Sequence, residues 1–222
     1  MNAPSTALAV RAPTADTSPT VVVVAERTDI AGWVLRWCRR SGRILLVRPA
    51  AVTASDRIRA VAALAGSTVL VVPRALARPG PPRVVAAVQD LPDDALVLVE
   101  AAQIAAQRGG SLVVVHAVPL SFGERSVGLA AALDHGRWVL DTARDQLATH
   151  SPGLLIAVHL LRVWPHELVG EDIDADLLVI GGAHAGTPPR LGRVARSAMH
   201  HAPCPILLTP RPERSPHRCP RR

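Results

Sequence analysis

Between Arg83 and Pro210 the sequence alternates short aliphatic runs with longer stretches of helical period, in strict order, and few folds accept that alternation. RVVAAV (83–88), SLVVVHAV (111–118), LLIAVHLLRV (154–163), DLLVIGG (176–182) and PILLTP (205–210) are apolar almost throughout. Strands covered on both faces read this way, whereas half-exposed strands alternate. Between the runs, ALVLVEAAQIAAQRGG repeats apolar residues at helical spacing after QDLPDD, where Asp93 or Asp94 is placed to cap it. Gly109 and Gly110 are placed to stop that helix. VGLAAALDHGRWVLDTARDQLATH predicts a long amphipathic helix, PHELVGEDIDA a short one starting at Pro165, and RVARSAMHHA a last one. Strands and helices in βα order predict an α/β fold: a five-stranded parallel sheet sandwiched by helices, with right-handed crossovers.

Composition agrees with this reading. Hydrophobic residues make up 49% of the chain with one Phe and no Tyr, so the core must be built from small and branched aliphatics. All basic residues are Arg, and their distribution is uneven. Residues 1–81 carry 11 Arg against 4 acids, residues 82–210 carry 9 against 13, and residues 211–222 carry 5 against 1. The acidic central body, poor in aromatic platforms, argues against a nucleic-acid interface despite the high overall pI. Three cysteines with no CxxC fit a reducing compartment. No run approaches the roughly 18 apolar residues needed to cross a bilayer. The expectation is a soluble, cytoplasmic protein with a disordered leader over 1–19 and a disordered basic tail over 212–222.

The segment 20–74 repeats this plan in shortened form. TVVVVAE, a helix around AGWVLRWCRRSG and RILLVRP form an opening βαβ. DRIRAVAALAGSTVLVVPR then aligns without gaps against the chain's own VARSAMHHAPCPILLTPR, with Arg59 on Arg196, Ala65 on Ala202, Leu70 on Leu207, Pro73 on Pro210 and Arg74 on Arg211. The first copy has nothing equivalent to the middle of the second, and residues 75–82 read as a linker.

DADLLVIGG, followed by LGRVARSAMHHAPCPILLTPR, resembles the C-terminal signature of the universal stress protein family. VVPR with the linker ALARPGPP resembles the tandem members of that family from actinobacteria, here with the first domain truncated (20–74) and the second complete (83–211). The resemblance implies a sheet of the adenine-nucleotide α-hydrolase kind, a stress-response regulatory role, and dimerisation or pseudo-dimerisation through the last strands, 68–73 and 205–210. It also implies ATP as a ligand, in members that hold its phosphates on G-x2-G-x9-G-S/T. Glycines let the backbone approach the anion, and free N–H groups at a helix start stabilise it. No metal beyond nucleotide-bound Mg²⁺ is expected.

On this chain the family's nucleotide contacts fall on Val88, Gln89 and Asp90 after the first strand of the complete copy, on His116, and on Gly181, Gly182, His184, Gly186, Gly192, Arg193 and Val194 around the glycine loop. Several depart from the pattern. Gln89 stands where the family has aspartate, His184 takes the second glycine's place, Gly192 comes two residues early and Arg193 replaces Ser or Thr. Arg190, Arg193 and Arg196 offer donors at a helix start, and Gly186 offers a second permissive position. A nucleotide-free dimerising scaffold with a degenerate phosphate loop is the alternative, and an unidentified regulatory partner is implied by either role.

Other constellations point to structure. Adjacent His200 and His201 project about 100° apart on a helix, so with His184 and Cys204 they do not make a metal site. Residues 166–170 lack the second His of HExxH, and neither G-x-S-x-G nor a G-x-G-x-x-G after the first strand is present, so no catalytic residues are assigned. Cys38, among Arg36, Arg39 and Arg40, is either a low-pKa redox thiol or a helix residue beside a buried Trp33/Trp37 stripe.

Overall fold

The computed structural model of this chain describes residues 20–25, 32–49, 53–64, 66–72, 81–120, 127–169, 173–184 and 190–211. The leader, the tail and most of the linker lie outside them. Strands β1 (Thr20–Ala25), β2 (Ile44–Pro49), β3 (Thr68–Val72), β4 (Arg83–Ala87), β5 (Ser111–Ala117), β6 (Leu155–Leu161), β7 (Leu177–Gly181) and β10 (Ile206–Thr209) form one sheet in the order β2-β1-β3-β10-β7-β4-β5-β6. Residues 83–209 contribute β10-β7-β4-β5-β6, all parallel, which is the predicted five-stranded core. A small antiparallel pair, β8 (Ala183–His184) and β9 (Arg190–Leu191), follows β7.

Helices α1 (Gly32–Arg40), α3 (Ala95–Gln107) and α4 (Val127–His150) cover one face of the sheet, and α2 (Ala54–Ala62) and α5 (Arg193–His201) cover the other. The first face packs Trp37, Ile104, Leu112 and Leu207 in one buried cluster; the second packs Val61, Leu178, Ala198 and Met199. Each strand therefore feeds two cores, which is why its residues are apolar without alternation. Helix α3 stops where expected: Gly109 has φ +64°, its N–H donates to the Ala106 carbonyl, and the Gly110 N–H donates to that of Ala105. That is the 6→1 and 5→2 bonding of a Schellman end, for which a left-handed glycine is the least strained choice.

The shortened first copy has a structural signature. β10 reaches β4 through β7, whereas β3 pairs directly with β1. The equivalents of β6 and β7 are missing, and the last strand has closed the gap. The two copies meet at β3 and β10, which are antiparallel, with Val69 opposite Leu208, Leu70 opposite Leu207 and Val71 opposite Ile206. Leu70 and Leu207 are also the residues aligned by the sequence repeat, so this one pair faces its own counterpart at the centre of a local two-fold, and the pairs on either side exchange partners about it. The last strands thus pair within one chain. A contact of this kind is self-complementary, and it covers edges that each copy would otherwise expose.

On the α1–α3 side the seam holds an ion pair between Arg43 and the fully buried Glu100, with the Arg43 guanidinium 5.1 Å from the Trp37 ring centroid. Burial pushes the Glu100 carboxyl up, and Arg43 pulls it partly back.

One expectation needs correction, and one open alternative is decided. Residues 165–169 form turns and not the start of a helix. The Glu167 carboxylate accepts the Trp164 N–H, and the Trp164 carbonyl accepts from the Glu167 N–H at 2.9 Å and the Leu168 N–H at 3.3 Å, so a single capped turn forms and residues 165–169 remain turns. Cys38 is buried, and burial raises its thiol pKa against the lowering influence of Arg43, so it is not a low-pKa redox thiol.

Candidate nucleotide site

β4 has β5 on one side and β7 on the other, and the chain runs outward to β6 before returning through β7 to β10. The gap above the carboxyl ends of β4 and β7 is therefore the topological switch point of the parallel part of the sheet, the usual place for a ligand in such folds. A cavity of about 700 Å³ opens there. Val88, Gln89, Asp90, His116, Gly181, Gly182, Gly192, Arg193 and Val194, drawn from four separate stretches of sequence, all line it. The His184 backbone pairs with Arg190 in the β8–β9 ladder. Gly186 lies outside the described residues. Arg190 and Arg196 do not line the cavity, because one is taken up in β9 and the other sits on an exposed face of α5.

The N-terminus of α5 faces this cavity through Gly192, Arg193, Val194 and Ala195. The first intrahelical bond is made by the Arg196 N–H to the Gly192 carbonyl, so the N–H groups of the preceding turn have no partner within the helix. With the positive end of the helix dipole beside them, they suit an anion.

The floor of the site differs from expectation in one decisive way. Asp94 sits at the N-cap position of α3 but makes no side-chain cap bond. Its carboxylate instead accepts the Gln89 N–H at 2.7 Å and the Asp90 N–H at 3.3 Å. The other oxygen accepts from the Arg211 guanidinium at 2.7 Å, in a pair where Asp94 is almost fully buried. Two backbone donors and a guanidinium outcompete the helix start for this carboxylate. Arg211 reaches it by crossing Gly181: a Cβ built on Gly181 would stand 2.0 Å from the Arg211 Nε. The first glycine of the loop is thus required by an arginine of the same chain. Gly182 is held by its N–H donating to the Thr209 carbonyl at 2.7 Å.

His116 is buried, with Nδ1 3.1 Å from the Val88 carbonyl; this contact requires Nδ1 to carry the proton and donate. Burial lowers its pKa, the Val88 contact opposes that, and the charge of His135 adds to it, so the neutral ring is favoured. His135 lies 3.7 Å from Asp90 and edge-on to His116. Trp164 and His166 close another side; the Ser197 hydroxyl donates to the His166 carbonyl and ties that turn to α5. Sequence reasoning missed Arg211, His135, Trp164 and His166. Only Arg211 had a signal, as the partner of Arg74 in the repeat.

No group of three metal-ligating side chains occurs among the described residues. His200 and His201 are exposed and Cys204 is buried. No described helix is long and apolar enough to cross a membrane.

The sequence model of the universal stress protein family matches residues 81–210. Among solved structures, a universal stress family protein from Burkholderia pseudomallei is 26% identical, with 60% of this chain and 99% of that one covered and a TM-score of 0.46. The universal stress protein from Archaeoglobus fulgidus in complex with dAMP is 28% identical, with 57% of this chain and 95% of that one covered and a TM-score of 0.46. The cytoplasmic domain of a prokaryotic cation chloride cotransporter shares the fold at 13% identity, covering 86% of this chain and 63% of its own, with a TM-score of 0.50. No curated protein matches the chain. With the family model spanning more than half of its length, and an α/β sheet of the matching kind beneath it, this chain belongs to the universal stress protein family.

Proposed function

We propose that the chain is a stress-response regulatory module that binds an adenine nucleotide, ATP, in the cavity at the carboxyl ends of β4 and β7. The observation that carries this reading is the convergence of the α5 N-terminus, Arg193 and Arg211 on one switch-point cavity. Its volume falls within the range of about 300–1,000 Å³ usual for small-molecule sites. The residues fit the group. The α5 first turn, Arg193 and Arg211 would hold phosphates, Gln89 and Asp90 would accept ribose hydroxyls, and Trp164 and His166 offer a flat apolar wall. ATP supplies the negative charge this end of the cavity is built to receive, and Mg²⁺ would arrive with it. The role is regulatory, with no catalytic residue assigned. A cytoplasmic setting, an unidentified regulatory partner and descent from a tandem protein with a truncated first copy belong to the same proposal. Self-association through 68–73 and 205–210 is met inside one chain.

A ligand that binds only the folded state raises its stability, by about 2.7 kcal/mol at a hundredfold excess over Kd. Thermal unfolding with ATP and Mg²⁺, dAMP or cAMP should therefore show a rise in Tm for at least ATP, reduced in Arg193→Ala. A second reading, a scaffold that holds no nucleotide, draws on Arg211 lying across Gly181 with Asp94 as its partner. It predicts no rise for any of the three nucleotides, and that result would sink the first reading.

A further inference from the structure

A second cavity, of about 450 Å³, lies at the opposite end of the sheet, where α1 and α3 flank the chain just before β4. Its lining brings together Arg36 and Arg40 from α1, Arg108 and Gln107 from the end of α3, and the Trp33/Trp37 pair. None of its lining residues among the described ones is acidic. The three arginines make no ion pair among the described residues, in contrast to Arg43 nearby, which is neutralised by Glu100. Asp176, outside the lining, is the carboxylate that acts electrostatically on Arg108; it is already engaged by the Arg83 N–H at 2.8 Å. Burial and the neighbouring charge of Arg36 both act against the charge of Arg108, and Asp176 offsets them in part.

The aromatic floor adds an independent sign. Trp37 is 1% exposed, and its indole N–H has no hydrogen-bond partner. A buried donor without an acceptor is rare and disfavoured. The Arg108 guanidinium stands 4.8 Å from the Trp33 ring centroid, which fixes that cation toward the cavity in preference to solvent. Three guanidiniums without an ion-pair partner among the described residues and a side-chain amide, gathered on one small concavity, suit an acceptor-rich anion.

We propose that the α1–α3 cavity is an anion-binding site for a compact phosphate-bearing small molecule, separate from the nucleotide cavity. Guanidinium forks match phosphate oxygens in pairs, which favours phosphate over a spherical anion. The cavity is built across the seam between the two copies, so an occupant would bridge α1 of the first to α3 of the second. The site does not depend on whether the switch-point cavity holds a nucleotide.

Trp33 and Trp37 are built-in reporters. In a Trp138→Phe/Trp164→Phe background, their emission should change saturably on titration with inorganic pyrophosphate, with weaker binding as salt is raised. Arg36→Gln/Arg108→Gln should weaken that binding by at least about tenfold, the expected loss when charge-assisted hydrogen bonds are removed. These two side chains are not buried in the core, so the variant keeps its fold, which circular dichroism verifies. Arg193→Gln, in the other cavity, should leave the titration unchanged. No saturable response at millimolar pyrophosphate, an unchanged affinity in Arg36→Gln/Arg108→Gln, or a loss caused by Arg193→Gln would each overturn the proposal.

Discussion

The two copies end alike and differ in the middle. Each finishes with a helix leading into a strand that reaches the local two-fold, α2 into β3 and α5 into β10, and there Leu70 faces Leu207. Only the second copy retains the strands equivalent to β6 and β7, and with β7 the glycine turn that opens the cavity. Pairing and the cavity proposed to hold a nucleotide are therefore carried by separable parts of this fold. The first copy has kept what is needed to cover an edge and has lost what is needed to build a switch point.

That comparison can be broken at the seam, most severely at Glu100. Glu100→Ala leaves the Arg43 guanidinium nearly buried without a counter-charge, and loss of one partner of a buried pair costs about 3–5 kcal/mol. Urea unfolding should read this as a lower midpoint, and a change within error would show that Arg43 reaches solvent. Next come Leu70→Ala and Leu207→Ala, each expected to cost about 2–5 kcal/mol because both side chains are fully buried. If the two-fold is a true packing equivalence, the costs should be close and the double variant less than additive. Full additivity would mean that the two leucines do not share one packing site.

Arg211→Ala addresses the contact at the floor of the second copy's cavity. It leaves Asp94 buried with two backbone donors and no guanidinium, a loss of about 1–3 kcal/mol. The smallest effect is at His116. Its pKa is lowered in the folded chain, so its contribution to stability is present above the ordinary histidine range and is lost as pH falls through and below it. His116→Gln should flatten the unfolding midpoint over that acid window, and an unaltered slope would remove His116 from the account.

Much of this was readable from residues. Uninterrupted aliphatic runs predict a sheet covered on both faces, and the gapless alignment of Leu70 on Leu207 predicts the pair that meets at the seam. Motif position brought Val88 to Asp90, Gly181, Gly182 and Gly192 to Val194 into one cavity, because a switch point is fixed by strand order. What was not readable depends on which side chain reaches across. Asp94 has the spacing of a helix cap, and local pattern is blind to an arginine far along the chain that outbids the helix for it. The Pro165 segment has the local bonds of a helix start, with Glu167 accepting the Trp164 N–H and the Leu168 N–H reaching the Trp164 carbonyl, yet it stays a turn through residue 169. His135 and Trp164 enter the cavity through packing of α4 and the turn after β6, which no motif encodes.

The central claim is that one copy holds a nucleotide and the other does not. Isothermal titration calorimetry of the full chain with ATP and Mg²⁺ tests it most directly through its stoichiometry. The account predicts one nucleotide per chain, with the heat of binding reduced in Arg193→Ala; no binding, or two equivalent sites per chain, would contradict it.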